Sequence, residues 1–274
     1  MSVTIEGKRA TFAGIDTYYY EEGQGESVLF IHGSGPGVSA WANWRLVLPR
    51  FAENYHVIAP DLAGFGQTEK LEEGAYGMDV WVDQLSGLIE AKGLEKINIV
   101  GNSLGGAIAL HLAKRKPELL NKIVLMGTAG VPFEITEGLD KVWGYTPSYD
   151  NMAELIDIFS YDDKFKKDSD LIELRYQGTL DKENQDAFAS MFPAPRQEQV
   201  DKLALSDEEL QGIKHPVLAL HGREDQVIPA ENSWKAFQAI PNAEMHLFSK
   251  CGHWIQIEKT DEFCKQVEVF LEEE

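Results

Sequence analysis

The sequence contains few cysteines, no long apolar run and no cluster of metal-binding side chains. Two cysteines among 274 residues are too few for a disulfide framework and suit a reducing compartment. No apolar run reaches the length of a bilayer span, and residues 1–9 lack the apolar segment of a signal peptide. We therefore expect a cytoplasmic protein that is not associated with a membrane. Because no Cys and His residues have zinc-like spacing, no metal site is predicted.

Basic residues are also scarce: the chain has 25 Lys and Arg against 45 Asp and Glu, for a formal net charge of −20. This charge argues against binding to nucleic acid or to an anionic membrane surface. If the substrate is an anion, the overall field opposes its approach. A local cation would then have to capture it.

Short apolar runs alternate with helical patterns along most of the chain. The runs lie at 28–31, 57–59, 97–100, 123–126, 217–220 and 245–248. The main helical patterns lie at 81–92, 107–116, 232–239 and 260–271. Apolar residues at consecutive positions are typical of strands buried on both faces. The alternation predicts an α/β fold with a doubly wound, mostly parallel sheet.

The alternation stops between about residues 137 and 204. This stretch has no clear core strand and is rich in charged and aromatic residues, with helical pieces at 151–159, 168–180 and 182–191. We predict a helical lid at 137–204, inserted into a core domain made of residues 1–136 and 205–274. A chain of 274 residues with 43% hydrophobic residues is large enough for one such domain.

A Gly-x-Ser-x-Gly pattern follows one of the predicted strands. Residues 101–106 read Gly-Asn-Ser-Leu-Gly-Gly, between the strand at 97–100 and an Ala- and Leu-rich helical pattern. A sharp strand-to-helix turn lifts the central serine clear of the sheet, and the glycines let strand and helix approach closely. The pattern alone also fits an ordinary Gly-rich turn. Its context predicts that Ser103 is a nucleophile.

A serine nucleophile needs a base, because its hydroxyl is weakly nucleophilic at neutral pH. In hydrolases with this turn, the chain order is nucleophile, acid, histidine. His253 lies in a loop after the last predicted strand, and Asp225 follows the strand before it. Glu224 is the rival for the acid, and His221 is interpreted as structural because it ends its strand. We predict a triad of Ser103, Asp225 and His253.

Acyl chemistry also requires hydrogen-bond donors for an oxyanion. One donor is expected at the backbone N–H of Leu104, directly after the nucleophile. The other should come from the loop after an early strand, which reads His-Gly-Ser-Gly-Pro-Gly at 32–37. A phosphate loop is the alternative, but no Gly-Lys-Ser/Thr follows.

Together these motifs resemble a known family. The chain resembles the α/β-hydrolase superfamily and, within it, the meta-cleavage product hydrolases, which cut carbon–carbon bonds in ring-fission products of aromatic degradation. The resemblance covers nearly the full length, and its lid sequence is more similar to enzymes of monocyclic alkylbenzene or phenol degradation than to biphenyl enzymes. The motifs are HGSGPG at 32–37, WANW at 41–44, DLAGFGQT at 61–68, GNSLGG at 101–106, VWGYTPS at 142–148, FPAPRQ at 192–197, HGREDQVIP at 221–229 and CGHW at 251–254.

The resemblance implies roles for individual residues. Ser103, Asp225 and His253 match the triad, and the amides of Ser34 and Leu104 match the oxyanion hole. The residues that match a substrate-binding role are Gly33, Asn43, Asn102, Arg175 and Trp254, with Arg196 as the rival of Arg175. The residues expected to line the pocket are Ala129, Phe159 and Val227. The family often has Met or Phe where Leu104 stands, but only the backbone is asked to act there.

The implied substrate is a 2-hydroxy-6-oxohexa-2,4-dienoate, a carboxylate with a remote ketone. The implied reaction shifts the dienol to its keto tautomer with His253 as proton carrier, after which Ser103 attacks the ketone. A buried carboxylate needs a cation or several donors, which Arg175, Asn43 and Asn102 could supply. No cofactor is implied, and the expected partners are the substrate and further copies of the chain in a homo-oligomer. A carboxylesterase or lactonase, or a non-catalytic binding protein, on the same fold is the alternative.

Overall fold

The computed structural model describes residues 5–273 and is built on an eight-stranded sheet. The strands are β1 (Gly7–Phe12), β2 (Ile15–Glu22), β3 (Ser27–Ile31), β4 (His56–Pro60), β5 (Ile97–Asn102), β6 (Leu120–Met126), β7 (Val217–Gly222) and β8 (Ala243–Phe248). Their order across the sheet is β1-β2-β4-β3-β5-β6-β7-β8. Neighbouring strands from β4 to β8 pair in parallel, whereas β2 pairs antiparallel with both of its neighbours, β1 and β4. The predicted mostly parallel sheet is confirmed, and the antiparallel pair is an addition to it.

Helices cover both faces of this sheet. Those outside the insertion are α1 (Ala40–Trp44), α2 (Leu48–Phe51), α3 (Met78–Ala91), α4 (Leu104–Arg115), α12 (Glu231–Ala239), α13 (Ile255–Glu258) and α14 (Thr260–Glu272). In β3, Leu29 and Ile31 belong to one apolar cluster and Val28 and Phe30 to another, and all four side chains are buried. Successive side chains of a strand point to opposite faces of the sheet. A consecutive apolar run therefore packs against the helices on both faces. Within the described residues, none of the helices combines the length and apolarity that crossing a membrane requires.

Seven helices connect β6 to β7. They are α5 (Glu137–Trp143), α6 (Tyr149–Phe159), α7 (Asp163–Lys166), α8 (Ser169–Gln177), α9 (Lys182–Met191), α10 (Gln197–Leu203) and α11 (Asp207–Gly212). Side chains of Thr136, Ser148, Asp168 and Asp181 accept hydrogen bonds from the first turns of α5, α6, α8 and α9. Such N-caps satisfy amides that have no intrahelical acceptor and thereby fix where each helix begins.

The carboxyl ends of the parallel strands meet at one edge of the sheet. Ser103 follows β5, Asp225 follows β7, and His253 follows β8. Ligands of open parallel sheets bind outside this edge. The topology therefore brings three residues that are far apart in sequence to the same place.

Candidate active site

Ser103 occupies the strained turn between β5 and α4, with φ 53° and ψ −112°. Positive φ is uncommon for a residue other than glycine and costs on the order of 1–3 kcal/mol. Glycines are required beside it. A Cβ on Gly105 would lie 2.3 Å from the carbonyl oxygen of Ile31, and one on Gly101 would lie 2.4 Å from the carbonyl oxygen of Gly105. The sequence pattern at 101–106 thus forms the expected nucleophile turn.

The predicted acid and base are in contact. His253 Nδ1 lies 2.7 Å from Asp225 Oδ2, and both side chains are buried. The other carboxylate oxygen, Oδ1, accepts hydrogen bonds from the amides of Val227 and Ile228 at 2.8 and 3.0 Å. Burial raises the pKa of Asp225, but the imidazoles of His253 and His221 outweigh it and hold the pKa well below its usual range. The carboxylate therefore stays ionised and orients the imidazole.

Glu224, the rival for the acid, is engaged elsewhere. Its carboxylate accepts from the guanidinium of Arg223 at 2.7 Å and from the amide of Cys251 at 3.0 Å. These contacts tie the loop after β7 to the loop that carries His253. Glu224 supports the histidine loop rather than the imidazole.

His221 contacts the triad acid, which sequence reasoning missed. Its Nε2 lies 3.3 Å from Asp225 Oδ2 and 3.0 Å from the carbonyl oxygen of Ile228, while Nδ1 lies 2.7 Å from Ser233 Oγ. The carbonyl oxygen can only accept, so Nε2 carries the proton and points it toward the carboxylate as well. The four-residue spacing to Asp225 was the available signal. This spacing alone does not distinguish a histidine that contacts the acid from one that only ends a strand. The geometry of the turn is needed for that distinction.

The end of α6 is bonded to the histidine loop. The carbonyl oxygen of Phe159 accepts from the amide of His253 at 2.8 Å. The carboxylate of Glu258 accepts from the amides of Gly252 and Tyr161, one on each side of the same junction. The insertion and the loop that carries His253 are therefore held together by one backbone hydrogen bond and by the side chain of Glu258.

Two amides near Ser103 have no backbone acceptor among the described residues. A Cβ on Gly33 would lie 3.1 Å from the Cβ of Ser103, so the 32–37 loop packs against the turn. The amide of Ser34 has no backbone acceptor among residues 5–273. Leu104 is the first residue of α4, where an N–H has no intrahelical acceptor. Both groups are available to an oxyanion, and the Ser34 hydroxyl accepts separately from Trp143 Nε1 at 2.9 Å.

Arg175 reaches the site from α8. Its guanidinium lies 5.1 Å from the centroid of the Trp254 ring, a cation–π contact. Burial and then repulsion by Arg45 lower the pKa of Arg175 to about 10, and no acidic side chain of the described residues opposes this shift. Arg196 instead pairs with Asp140 at 3.1 Å. Of the two rival arginines, Arg175 is the one that shares a cavity with Ser103, and it has no acidic partner among residues 5–273.

Most of the predicted site residues line one cavity. They are Gly33, Ser34, Asn43, Asn102, Ser103, Phe159, Arg175, His253 and Trp254. Asp225 lies behind His253, and Ala129 and Val227 are buried outside this cavity, adjacent to the triad rather than on its wall. The cavity has a volume of about 20 Å³, room for about one water molecule. A ligand larger than a water molecule therefore requires the walls of this cavity to move.

The same region contains no predicted metal centre. Within residues 5–273, no group of three or more His, Cys, Asp or Glu side chains is arranged to hold a metal ion. The arrangement consists of a serine hydroxyl on a strained turn, an imidazole with its carboxylate, two amides without a backbone acceptor and a half-buried cation. Such a set can perform acyl chemistry on an anionic substrate.

Comparisons with known proteins agree with this geometry. The α/β hydrolase fold family matches residues 26–260. A 2-hydroxy-6-oxo-2,4-heptadienoate hydrolase of Pseudomonas putida is 48% identical over 265 residues, which cover 97% of this chain and 96% of that protein. A 2-hydroxymuconate semialdehyde hydrolase of Pseudomonas sp. strain CF600 is 49% identical over 267 residues, which cover 97% of this chain and 94% of that protein.

A solved structure extends the similarity to three dimensions. The meta-cleavage product hydrolase from Pseudomonas fluorescens IP01, an S103A mutant complexed with acetates, superposes with a TM-score of 0.94. It is 48% identical in sequence, and the match covers 97% of each chain. The chain therefore belongs to the α/β hydrolase fold family and, within it, to the meta-cleavage product hydrolases.

Proposed function

We propose that this protein hydrolyses the carbon–carbon bond of 2-hydroxy-6-oxohexa-2,4-dienoates, giving 2-hydroxypenta-2,4-dienoate and a carboxylic acid. The observation that carries the proposal is Arg175, a cation without a counter-charge in the same cavity as Ser103 and His253. A cation that is partly withdrawn from water is costly unless it is paired, and a substrate carboxylate would pair it. An esterase for neutral substrates has no use for this cation. The activities named for the two relatives point the same way.

Each site residue has a place in this reaction. Arg175, Asn43 and Asn102 bind the dienoate end of the substrate, and Trp254 supports the guanidinium. His253, oriented by Asp225, moves the proton that converts the dienol to its keto tautomer, so that the departing fragment can leave as an enol. Ser103 then attacks the ketone, the amides of Ser34 and Leu104 bind the oxyanion, and water releases the second acid.

We also propose that residues 137–204 act as the lid of a core formed by 1–136 and 205–274. Trp143, Phe159 and Arg175, all in this stretch, contact the cavity or the oxyanion loop. A cavity of about 20 Å³ is too small for the substrate, so the lid has to open for entry and release.

The reaction is tested directly with 2-hydroxy-6-oxohepta-2,4-dienoate, whose yellow colour disappears on cleavage. We expect the purified protein to bleach it and to release acetate. A panel with hydrogen, methyl, isopropyl or phenyl at carbon 6 should favour the small substituents, as in monocyclic pathways. Absence of bleaching, together with good turnover of nitrophenyl esters, would replace the proposal by a carboxylesterase or lactonase.

Arg175→Gln separates the two candidate functions. Removal of a charge-assisted contact should raise KM for the dienoate by about 10- to 100-fold. KM for neutral nitrophenyl acetate should change little, because that ester has no carboxylate. Steady-state kinetics on both substrates measure the difference.

The matched control is Arg196→Gln, which removes a guanidinium that already pairs with Asp140. It should leave both KM values close to those of the unmodified protein. An equal effect of Arg175→Gln on both substrates would favour the esterase. A selective effect of Arg196→Gln would transfer the carboxylate-binding role to that residue.

Two proposals concern the whole protein. We infer a cytoplasmic location from the two unpaired cysteines, Cys251 and Cys264. We infer a homo-oligomer, dimer or higher, which is supported by large apolar side chains exposed near the edge of the sheet. Examples are Trp234 on α12, which is 51% exposed, and Leu247 on the edge strand β8, which is 43% exposed.

A further inference from the structure

Three amide side chains meet on one wall of the cavity: Asn43, Asn102 and Gln256. Their exposed fractions are 8%, 3% and 1%. Gln256 lies on α13, within two residues of Trp254, and nothing above gives it a role. Amides so deeply buried normally have a partner for each polar atom.

Backbone groups fix the orientation of all three amides. Gln256 faces the carbonyl oxygen of Asn43, which can only accept, so the atom 3.4 Å away is Nε2. The amide of Gly33 can only donate, so the Asn43 atom 3.5 Å away is Oδ1. Asn43 Oδ1 in turn accepts from Asn102 Nδ2 at 2.8 Å. The orientation of each side chain follows from groups that have a single possible role.

This orientation leaves one donor and two acceptors without partners. Asn43 Nδ2, Asn102 Oδ1 and Gln256 Oε1 are buried and form no hydrogen bond with residues 5–273. Each unsatisfied buried group destabilises the folded protein. A ligand that satisfies the acceptors has to donate a hydrogen to this wall.

The substrate class has one such donor. At neutral pH its carboxylate and its 6-oxo group can only accept, whereas the enol hydroxyl at carbon 2 can donate. We propose that Gln256 recognises the substrate by accepting the hydrogen of this 2-hydroxyl at Oε1. The inference rests on the proposed function and adds a specificity-determining residue to it.

The position of Gln256 favours it over Asn102 as the acceptor. Carbon 2 is next to the carboxylate, which Arg175 is proposed to bind, and it is separated by the conjugated chain from the ketone that Ser103 attacks. Gln256 lies near Trp254, on whose ring the Arg175 guanidinium sits. Asn102 also serves the dienoate end in the proposed function, but it directly precedes Ser103, whereas Gln256 lies two residues from Trp254. We therefore assign the hydroxyl to Gln256.

This arrangement selects against ligands without the 2-hydroxyl. A site that is built to bond a hydroxyl rejects the analogue lacking it, because the buried acceptor is then left unpaired. The relevant pair of ligands is 2-hydroxypenta-2,4-dienoate, the proposed product, and penta-2,4-dienoate, which lacks the hydroxyl. Neither contains a cleavable ketone, so their binding can be compared without turnover.

The experiment measures both ligands as competitive inhibitors of nitrophenyl acetate hydrolysis. The unmodified protein should bind the hydroxy ligand about 10-fold more tightly than the deoxy ligand. In Gln256→Met, which keeps the length of the side chain without its acceptor, this ratio should fall to about 1. Ile257→Val alters the same wall without changing a polar atom and should retain the original ratio.

Thermal melting and fluorophosphonate labelling of Ser103 establish that each variant is folded. Should Gln256→Met fail to fold, Gln256→Asn is the second variant. It shortens the side chain by one methylene, which moves the acceptor away from the ligand, and should also lower the ratio. An unchanged ratio in a folded Gln256 variant overturns the inference and leaves the proposed function intact. If the unmodified protein is inhibited by neither dienoate, the proposed function fails and the inference fails with it.

Discussion

Ser103→Ala is expected to lower kcat for dienoate cleavage by about 10⁴- to 10⁶-fold, the scale seen when a serine hydrolase loses its nucleophile. The substitution removes the hydroxyl that attacks the ketone, while the oxyanion amides of Ser34 and Leu104 remain in place. Substrate affinity should be nearly unchanged, because the proposed carboxylate contacts do not involve residue 103. Single-turnover kinetics and equilibrium binding of the substrate to the variant measure the two effects.

Ser190→Ala, on α9, is the matched control. Its hydroxyl bonds only the carbonyl oxygen of Ala187 among the described residues. It should keep the activity of the unmodified protein. Retention of activity in Ser103→Ala, or continued labelling by a fluorophosphonate, would place the nucleophile elsewhere.

Asp225→Asn should lower kcat by about 10⁴-fold with little change in KM. The amide removes the negative charge beside His253 and favours the wrong imidazole tautomer. The amides of Val227 and Ile228 can still bond Oδ1, so the loop should keep its shape. Kinetics with 2-hydroxy-6-oxohepta-2,4-dienoate and a crystal structure of the variant test both statements.

Stability adds a pH dependence to this prediction. Because the pKa of Asp225 is depressed in the folded protein, its carboxylate stabilises the fold at pH values above the ordinary Asp pKa, about 3.9. That stabilisation is lost as the pH falls from there through the folded-state pKa. The variant should therefore be less stable than the unmodified protein near pH 7, with a gap in unfolding free energy that narrows only in strong acid.

Glu224→Gln is the control for the acid. The new amide oxygen can still accept from the amide of Cys251, so the loss in kcat should stay below about 10-fold. A loss as large as that of Asp225→Asn would show that the carboxylate of Glu224 acts on the imidazole after all. Chemical denaturation of the three proteins separates catalytic effects from unfolding.

The strands and the strand-to-helix turn could be predicted because their signals are local. Consecutive apolar residues indicate strands covered on both faces, and the glycines around Ser103 are required by the close approach of Ile31. The order nucleophile, acid, histidine then selects Asp225 and His253. The first two strands escaped prediction. They form a half-exposed antiparallel pair that contains polar and aromatic residues such as Tyr18 and Tyr20. They therefore lack the consecutive apolar run by which the other strands were predicted.

Other features depend on contacts between distant segments. His221 ends its strand in the sequence, yet its ring turns toward Asp225. Gln256 follows an ordinary apolar residue, and only the cavity reveals an acceptor without a partner. Ala129 and Val227 were predicted to line the pocket, and they do lie at the carboxyl edge of the sheet. Which side chains at that edge line the cavity depends on the path of residues 137–204.

The hydrogen bond from the amide of His253 to the carbonyl oxygen of Phe159 connects the proposed lid to the proposed catalytic base. If the proposed lid opens, this bond either breaks or moves the loop that carries His253, so the position of the imidazole relative to Ser103 changes. In the proposed function, opening of the lid and the position of the base are therefore coupled. Closure of the lid over a bound ligand would return the imidazole of His253 to the position described here.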